Sequence, residues 1–221
     1  MSAPRARAGV DLAAIARNCA RLRAELGTGG RLCAVVKADG YGHGAAQSAR
    51  AALAGGASWL AVATAPEARE LRAAGLEEAP ILVMGALTPQ ELRDALEAGA
   101  DVVVWSERYV HEVAGMGGGR VHVKLDSGMG RLGTRDAQLA SDVLALALVS
   151  EGVEPVGLMT HFATADEPQD GGFFEAQLEA FSRWAEKEKE RAPELIVHAA
   201  NSAAVLRDAR AHFDMVRCGI A

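Results

Sequence analysis

Eight short runs rich in Val, Ile and Leu recur along the chain, at 32–36, 59–63, 81–84, 102–105, 121–125, 155–160, 195–199 and 213–216. Each is too short for a helix and too continuously apolar for a strand with one wet face. Strands buried on both sides, as in a parallel sheet covered by helices, read this way. Between the runs lie segments with helical spacing, among them 66–75, 88–99, 136–152 and 173–191, several opening on a capping residue and closing on glycine. Thr88-Pro89-Gln90-Glu91 shows the pattern in full: a cap, a first-turn proline, then an acid three residues after the cap. A further amphipathic stretch, Asp11 to Leu26, precedes the first run.

Strand then helix, repeated to an eighth strand, predicts an α/β protein of the (β/α)8 barrel type; an open doubly wound sheet is the alternative, and eight strands favour the barrel. The sequence stops at Ala221, a few residues after the eighth run. The helix that would close the last unit is therefore expected to be missing, which exposes an apolar face and predicts association.

Composition narrows the class without fixing it. Half of the 221 residues are apolar, 24% are charged and the formal net charge is −6, which argues against disorder and against a basic nucleic-acid binder. No run approaches the roughly 18 apolar residues of a membrane helix, and no signal peptide is read at the start. Cys19, Cys33 and Cys218 are odd in number and lack CxxC spacing, so a reducing cytoplasm is the predicted setting. The six histidines show no HExxH or similar spacing, and no metal is predicted. Gly115-Met-Gly-Gly-Gly119 precedes a strand instead of joining a strand to a helix, and reads as a turn.

In a barrel, function sits where strands end. Lys37 follows the first run, Asp126 and Arg131 the fifth, His161 the sixth, Asn201 and Ser202 the seventh, and Arg217 with Gly219 the eighth. Lys37 passes straight from an apolar strand into a glycine-rich turn, where a partly desolvated amine can form a Schiff base with an aldehyde. A lysine reaching past the rim into solvent is the plain alternative.

The string Ala34-Val-Val-Lys-Ala-Asp-Gly-Tyr-Gly-His-Gly44 resembles the pyridoxal-phosphate attachment segment of alanine racemases. The resemblance continues in the family's order through 124–133, 157–166, 198–204 and 214–221. It implies a fold-type III barrel over 1–221, without the family's C-terminal β-domain, and interconversion of L- and D-alanine for peptidoglycan supply. It also implies a dimer when complete, and roles for individual residues. Lys37 would hold the cofactor and move protons on one face of the substrate. Arg217 would face the pyridine nitrogen, with His161 beside the ring and paired to Arg217. Ser202, Tyr41 and backbone N–H groups around Asn201, Gly219 and Ile220 would grip the phosphate. Arg131 would contact the phenolic oxygen and the substrate carboxylate. Lys124 matches a position carbamylated in some members, with an ion pair to Asp126 as the ordinary alternative.

Two departures stand out. Ser127 replaces a usual threonine, and the family's second base, a tyrosine from the C-terminal domain, has no counterpart, since Tyr41 belongs to the phosphate segment and Tyr109 to a helix. A two-base reaction needs groups on both faces, so little racemisation is expected of this chain alone. A non-catalytic pyridoxal-phosphate carrier, or a fold-type III racemase of another amino acid, are the alternatives.

Overall fold

In a computed structural model, the structure describes residue 6 and residues 8–219. Eight parallel strands close into a barrel: β1 (Arg31–Val35), β2 (Trp59–Val62), β3 (Ile81–Val83), β4 (Asp101–Val104), β5 (Gly119–Lys124), β6 (Val153–Met159), β7 (Ile196–His198) and β8 (Met215–Cys218). Each pairs with the next, and β8 returns to β1 with Cys33 opposite Arg217. The chain is a (β/α)8 barrel. Around it lie α1 (Leu12–Glu25), α2 (Lys37–Gly42), α3 (Ala45–Ala54), α4 (Ala65–Ala73), α5 (Pro89–Glu97), α6 (Glu107–Gly115), α7 (Ala137–Val149), α8 (Phe173–Arg191) and α9 (Ser202–Arg207). Among the described residues no helix is long and apolar enough to cross a membrane.

Local chemistry sets the helix starts. Thr64 with Glu67, and Thr88 with Glu91, form complete capping boxes ahead of a proline in the first turn of α4 and α5, each cap contributing about 1 kcal/mol. Asp136 accepts the amides of Gln138 and Leu139 to open α7. The glycine string 115–119 is the turn from α6 into β5.

Three strands, β5, β6 and β8, begin two residues away from the sequence reading. β6 begins at Val153, ahead of Pro155, and the β5–β6 register shifts between Val121 and His122. Proline has no N–H to donate, so the ladder slips by a residue beside it. β8 runs over 215–218 instead of 213–216, because Phe213 takes a left-handed φ of 48°. Arg217 therefore lies inside the last strand rather than after it.

Alternation along the strands divides the core in two. Leu32, Leu60, Ile81, Val102, Val121, Leu158, Val197 and Val216 point outward and pack under the helices. Cys33, Val35, Trp59, Ala61, Leu82, Val103, Met159 and Met215 point inward. The interior is apolar on the β1–β3 side, but on the other side it holds Asp101, His122, Lys124, His198 and Arg217, all buried. Outside β1 and β8, an apolar slot of about 530 Å³ opens between α1 and α3, lined by Ile15, Cys19, Leu22, Leu32 and Cys218.

Candidate active site

Lys37 opens α2, and α2 is an unusual helix. Ala38, Asp39, Gly40 and Tyr41 have φ values of 50°, 52°, 61° and 56°, a full left-handed turn. Left-handed backbone costs about 1–2 kcal/mol for each non-glycine residue, so the surroundings must hold it. The amide of Ala38 donates to Glu67 Oε1 at 2.7 Å, the amide of Ala45 to Asp39 Oδ1 at 2.7 Å, and the amide of Gly40 to the Val36 carbonyl at 2.9 Å. A side-chain carbon at Gly40 would lie 3.0 Å from Ser48 Oγ. The turn carries the Tyr41 ring back over the barrel mouth, with Lys37 Nζ 5.8 Å from its centre.

Tyr41 meets the end of β8. A Cβ added to Gly219 would stand 2.5 Å from the Tyr41 hydroxyl, and the Gly219 amide donates to Ser202 Oγ at 3.1 Å. Only glycine leaves this edge open. The Asn201 side chain accepts from the Ala204 amide and donates to the Phe162 carbonyl.

Across the mouth, Asp126 turns the chain after β5 by accepting the amides of Gly128 at 3.1 Å and Gly130 at 3.0 Å, with Arg135 at 3.5 Å. Among the described residues it makes no ion pair with Lys124, so the Lys124–Asp126 pairing is not formed. Ser127 Oγ lies 2.8 Å from Thr160 Oγ1, a bond the usual threonine would also make. Gln177 of α8, fully buried, donates to Ser127 Oγ and the His161 carbonyl and accepts from the Ala163 amide. One side chain thereby ties together the loops after β5 and β6.

Arg217 anchors the floor of the mouth. Its Nη2 donates to the carbonyls of Thr160 at 2.8 Å and Ala199 at 3.1 Å and lies 3.3 Å from His161 Nδ1, while Nη1 lies 2.8 Å from His198 Nδ1. Burial pulls its pKa down to about 10, which leaves it charged at neutral pH. Burial, then the charges of Arg217, Arg131, Lys124 and Lys37, force His161 down to about 3. Lys124 falls to about 8 through burial and then the positive charges of Arg217 and Arg131.

These groups face one cavity of about 700 Å³ at the C-terminal ends of the strands. Lys37, Tyr41, Lys124, Arg131, His161, Asn201, Ser202, Arg217 and Gly219 all line it. Ile220 lies outside the described residues. Four cations, Lys37, Lys124, Arg131 and Arg217, stand against one carboxylate, Asp166. Val35, Met84, Leu132 and Met159 supply apolar wall beside these charges.

Residues 10–221 match the family model described as alanine racemase, N-terminal domain. The chain belongs to this family. It is 42% identical to an alanine racemase of Thermobifida fusca over 98% of its own length and 41% identical to alanine racemase 1 of Bacillus subtilis over 96%. It spans 59% and 54% of the length of those two relatives. A crystal structure of alanine racemase from Bacillus anthracis with bound L-Ala-P superposes with a TM-score of 0.87 at 37% identity, over 96% of this chain and 56% of that one. Within this alanine racemase family barrel, Glu67, Gln177, His122, His198 and Asp101 support the site and were given no role by sequence. A polar residue inside an apolar run, or for Asp101 at its edge, was the available signal for the last three.

Proposed function

We propose that this chain is the cofactor-binding barrel of an alanine racemase, holding pyridoxal 5'-phosphate on Lys37, and that the whole protein interconverts L- and D-alanine for peptidoglycan synthesis. The observation that carries the reading is the convergence, in one cavity, of a lysine amine, a buried guanidinium and an open glycine edge. The donor set fits the cofactor. Gly219, with Ser202 and Tyr41 around it, leaves space beside polar donors where a phosphate can approach backbone, and four cations balance a phosphate and a carboxylate.

When bound, pyridoxal phosphate supplies the electron sink that makes an amino acid's α-proton removable. Lys37 Nζ would hold the cofactor and would be the base that moves a proton at the substrate α-carbon on its own face. Arg217, with both Nη groups committed to protein acceptors, offers Nε as a donor and has no proton to surrender to a weak ring base. His161, held neutral, adds a flat wall without adding charge. Arg131, exposed at the rim, receives the phenolic oxygen and the substrate carboxylate. Lys124, carrying a free amine in part of the population near neutral pH, is the position for carbamylation, and the resulting carboxylate would orient Arg131. The second base comes from the part of the relatives that this chain does not span. Homodimerisation of the whole protein and a cytoplasmic setting, in keeping with free Cys19, Cys33 and Cys218, complete the reading.

The test is a spectrum of the protein titrated with pyridoxal phosphate, followed by borohydride reduction and peptide mapping. A visible band absent from Lys37→Ala, with the adduct on Lys37, supports the reading. A folded protein with no band, or an adduct elsewhere, overturns it.

A further inference from the structure

The polar half of the barrel interior holds a continuous row of side chains running from the floor to the cavity. Asp101 Oδ2 lies 3.1 Å from His122 Nε2, His122 Nδ1 lies 2.8 Å from His198 Nε2, and His198 Nδ1 lies 2.8 Å from Arg217 Nη1. All four residues are buried. Hydrogens can be placed on this row in one way only. A guanidinium donates and cannot accept, so His198 Nδ1 is a bare acceptor and its hydrogen sits on Nε2. That hydrogen points at His122 Nδ1, which must also be bare, leaving the His122 hydrogen on Nε2 to meet the Asp101 carboxylate. A proton on Nδ1 of either ring would set two donors face to face. Burial, followed by the charges of Arg217, His122 and Lys124, holds His198 well below the ordinary imidazole range, which agrees with a neutral ring.

The two imidazoles belong to β5 and β7, with β6 between them, and they meet because the intervening inward position is Gly157. A Cβ there would stand 2.5 Å from His122 Nδ1. At the floor, Asp101 Oδ1 is held by Arg120 Nε at 2.9 Å, and Arg120 also reaches Glu154 at 2.9 Å. The carboxylate is thus pinned from below and gives the row its direction: an acceptor at one end, a donor at the other.

We propose that Asp101 is a positioning residue for Arg217, acting through His122 and His198 to fix which donor the guanidinium presents to the cavity. The inference rests on the reading that Arg217 faces the cofactor ring. An asparagine in place of Asp101 can turn its amide toward His122; both rings then switch tautomer, and His198 confronts Arg217 with a donor instead of an acceptor. A donor held in the wrong place binds less well, by about tenfold for one lost charge-assisted hydrogen bond.

The first measurement needs no variant and no cofactor. Two-bond nitrogen–proton correlation spectra of the ¹⁵N-labelled protein should show His122 and His198 both with hydrogen on Nε2 and bare Nδ1, and a hydrogen on Nδ1 of either ring would overturn the row. Asp101→Asn should then bind pyridoxal phosphate about tenfold more weakly. Gly157→Ala, which severs the row in the middle and keeps Asp101, should give a similar loss. Arg120→Met, which removes an ion pair of Asp101 and leaves the row, should bind as the parent does. Equal affinity in the parent and in either Asp101→Asn or Gly157→Ala overturns the positioning role. If the parent itself shows no lysine-bound cofactor, the functional reading fails, while the tautomers still decide the row.

Discussion

Glu67 accepts the backbone amide of Ala38 at 2.7 Å, one residue beyond Lys37. The same carboxylate accepts the amides of Ala63 and Thr64 and completes the capping box of α4. One acid therefore fastens the second helical unit of the barrel to the turn that carries the proposed cofactor lysine. Glu67→Gln replaces one acceptor oxygen with a donor that faces these amides. It should cost about 1 kcal/mol or more in unfolding free energy and slow cofactor attachment at Lys37. Denaturant unfolding and the rate of growth of the visible band measure the two effects; an unchanged rate would mean that the left-handed turn stands without this anchor.

Gly219 predicts a different separation of effects. Gly219→Ala places a methyl 2.5 Å from the Tyr41 hydroxyl, and Tyr41 must move away from the edge that the phosphate is proposed to occupy. Affinity for pyridoxal phosphate should fall at least about tenfold, and the melting temperature should change little because Gly219 is exposed. Inorganic phosphate should compete with the cofactor in the parent and fail to do so in the variant.

Acid should weaken the fold through two buried imidazoles. His161 titrates near 3 in the native protein and His198 well below its ordinary value, whereas both take up protons near 6.5 once unfolded. Below about pH 6.5 the unfolded state therefore binds more protons, and stability falls with pH until the native groups titrate. Thermal midpoints should vary little around pH 7 and drop from pH 6.5 toward 4. His161→Gln should flatten part of that drop; an unchanged slope would place the acid sensitivity elsewhere.

Lys124 has its native pKa at about 8 against an ordinary 10.5. Its amine should therefore react with a small acylating reagent with a midpoint near pH 8. Peptide mapping after a short pulse across pH 6–10 checks this. A midpoint above pH 10 would show that neither burial nor the neighbouring cations lower it, and would remove the basis for its carbamylation.

The barrel was legible because its outward strand positions form apolar runs, and the helices because their caps are local; both signals lie within a few residues of each other. The candidate cavity was legible through the resemblance, which assigned residues but not their supports. His122 and His198 were given no role because they sit inside runs read as core, and Asp101 because it stands at the edge of one; their meeting depends on barrel register, with separations of 21 and 76 positions along the chain. Gln177 and Glu67 look in sequence like ordinary helix surface, and only tertiary packing turns them inward. The misplaced eighth strand has a local cause: Phe213 and Val216 are both apolar, and nothing in their identity announces the left-handed φ at Phe213 that delays the strand.

The left-handed turn after Lys37 has a consequence for how the molecule matures. A short peptide of this sequence has no reason to coil in that sense, since its preferred screw is the opposite one. The shape exists because Glu67 arrives on α4 after β2 and because Ser48 closes on Gly40 from α3. The proposed cofactor lysine thus reaches its working pose only after the first two strand–helix units have docked, and an early folding intermediate would have the residue without the site. Capture of the aldehyde is then a late event, and its onset during refolding works as a clock for the assembly of that half of the barrel.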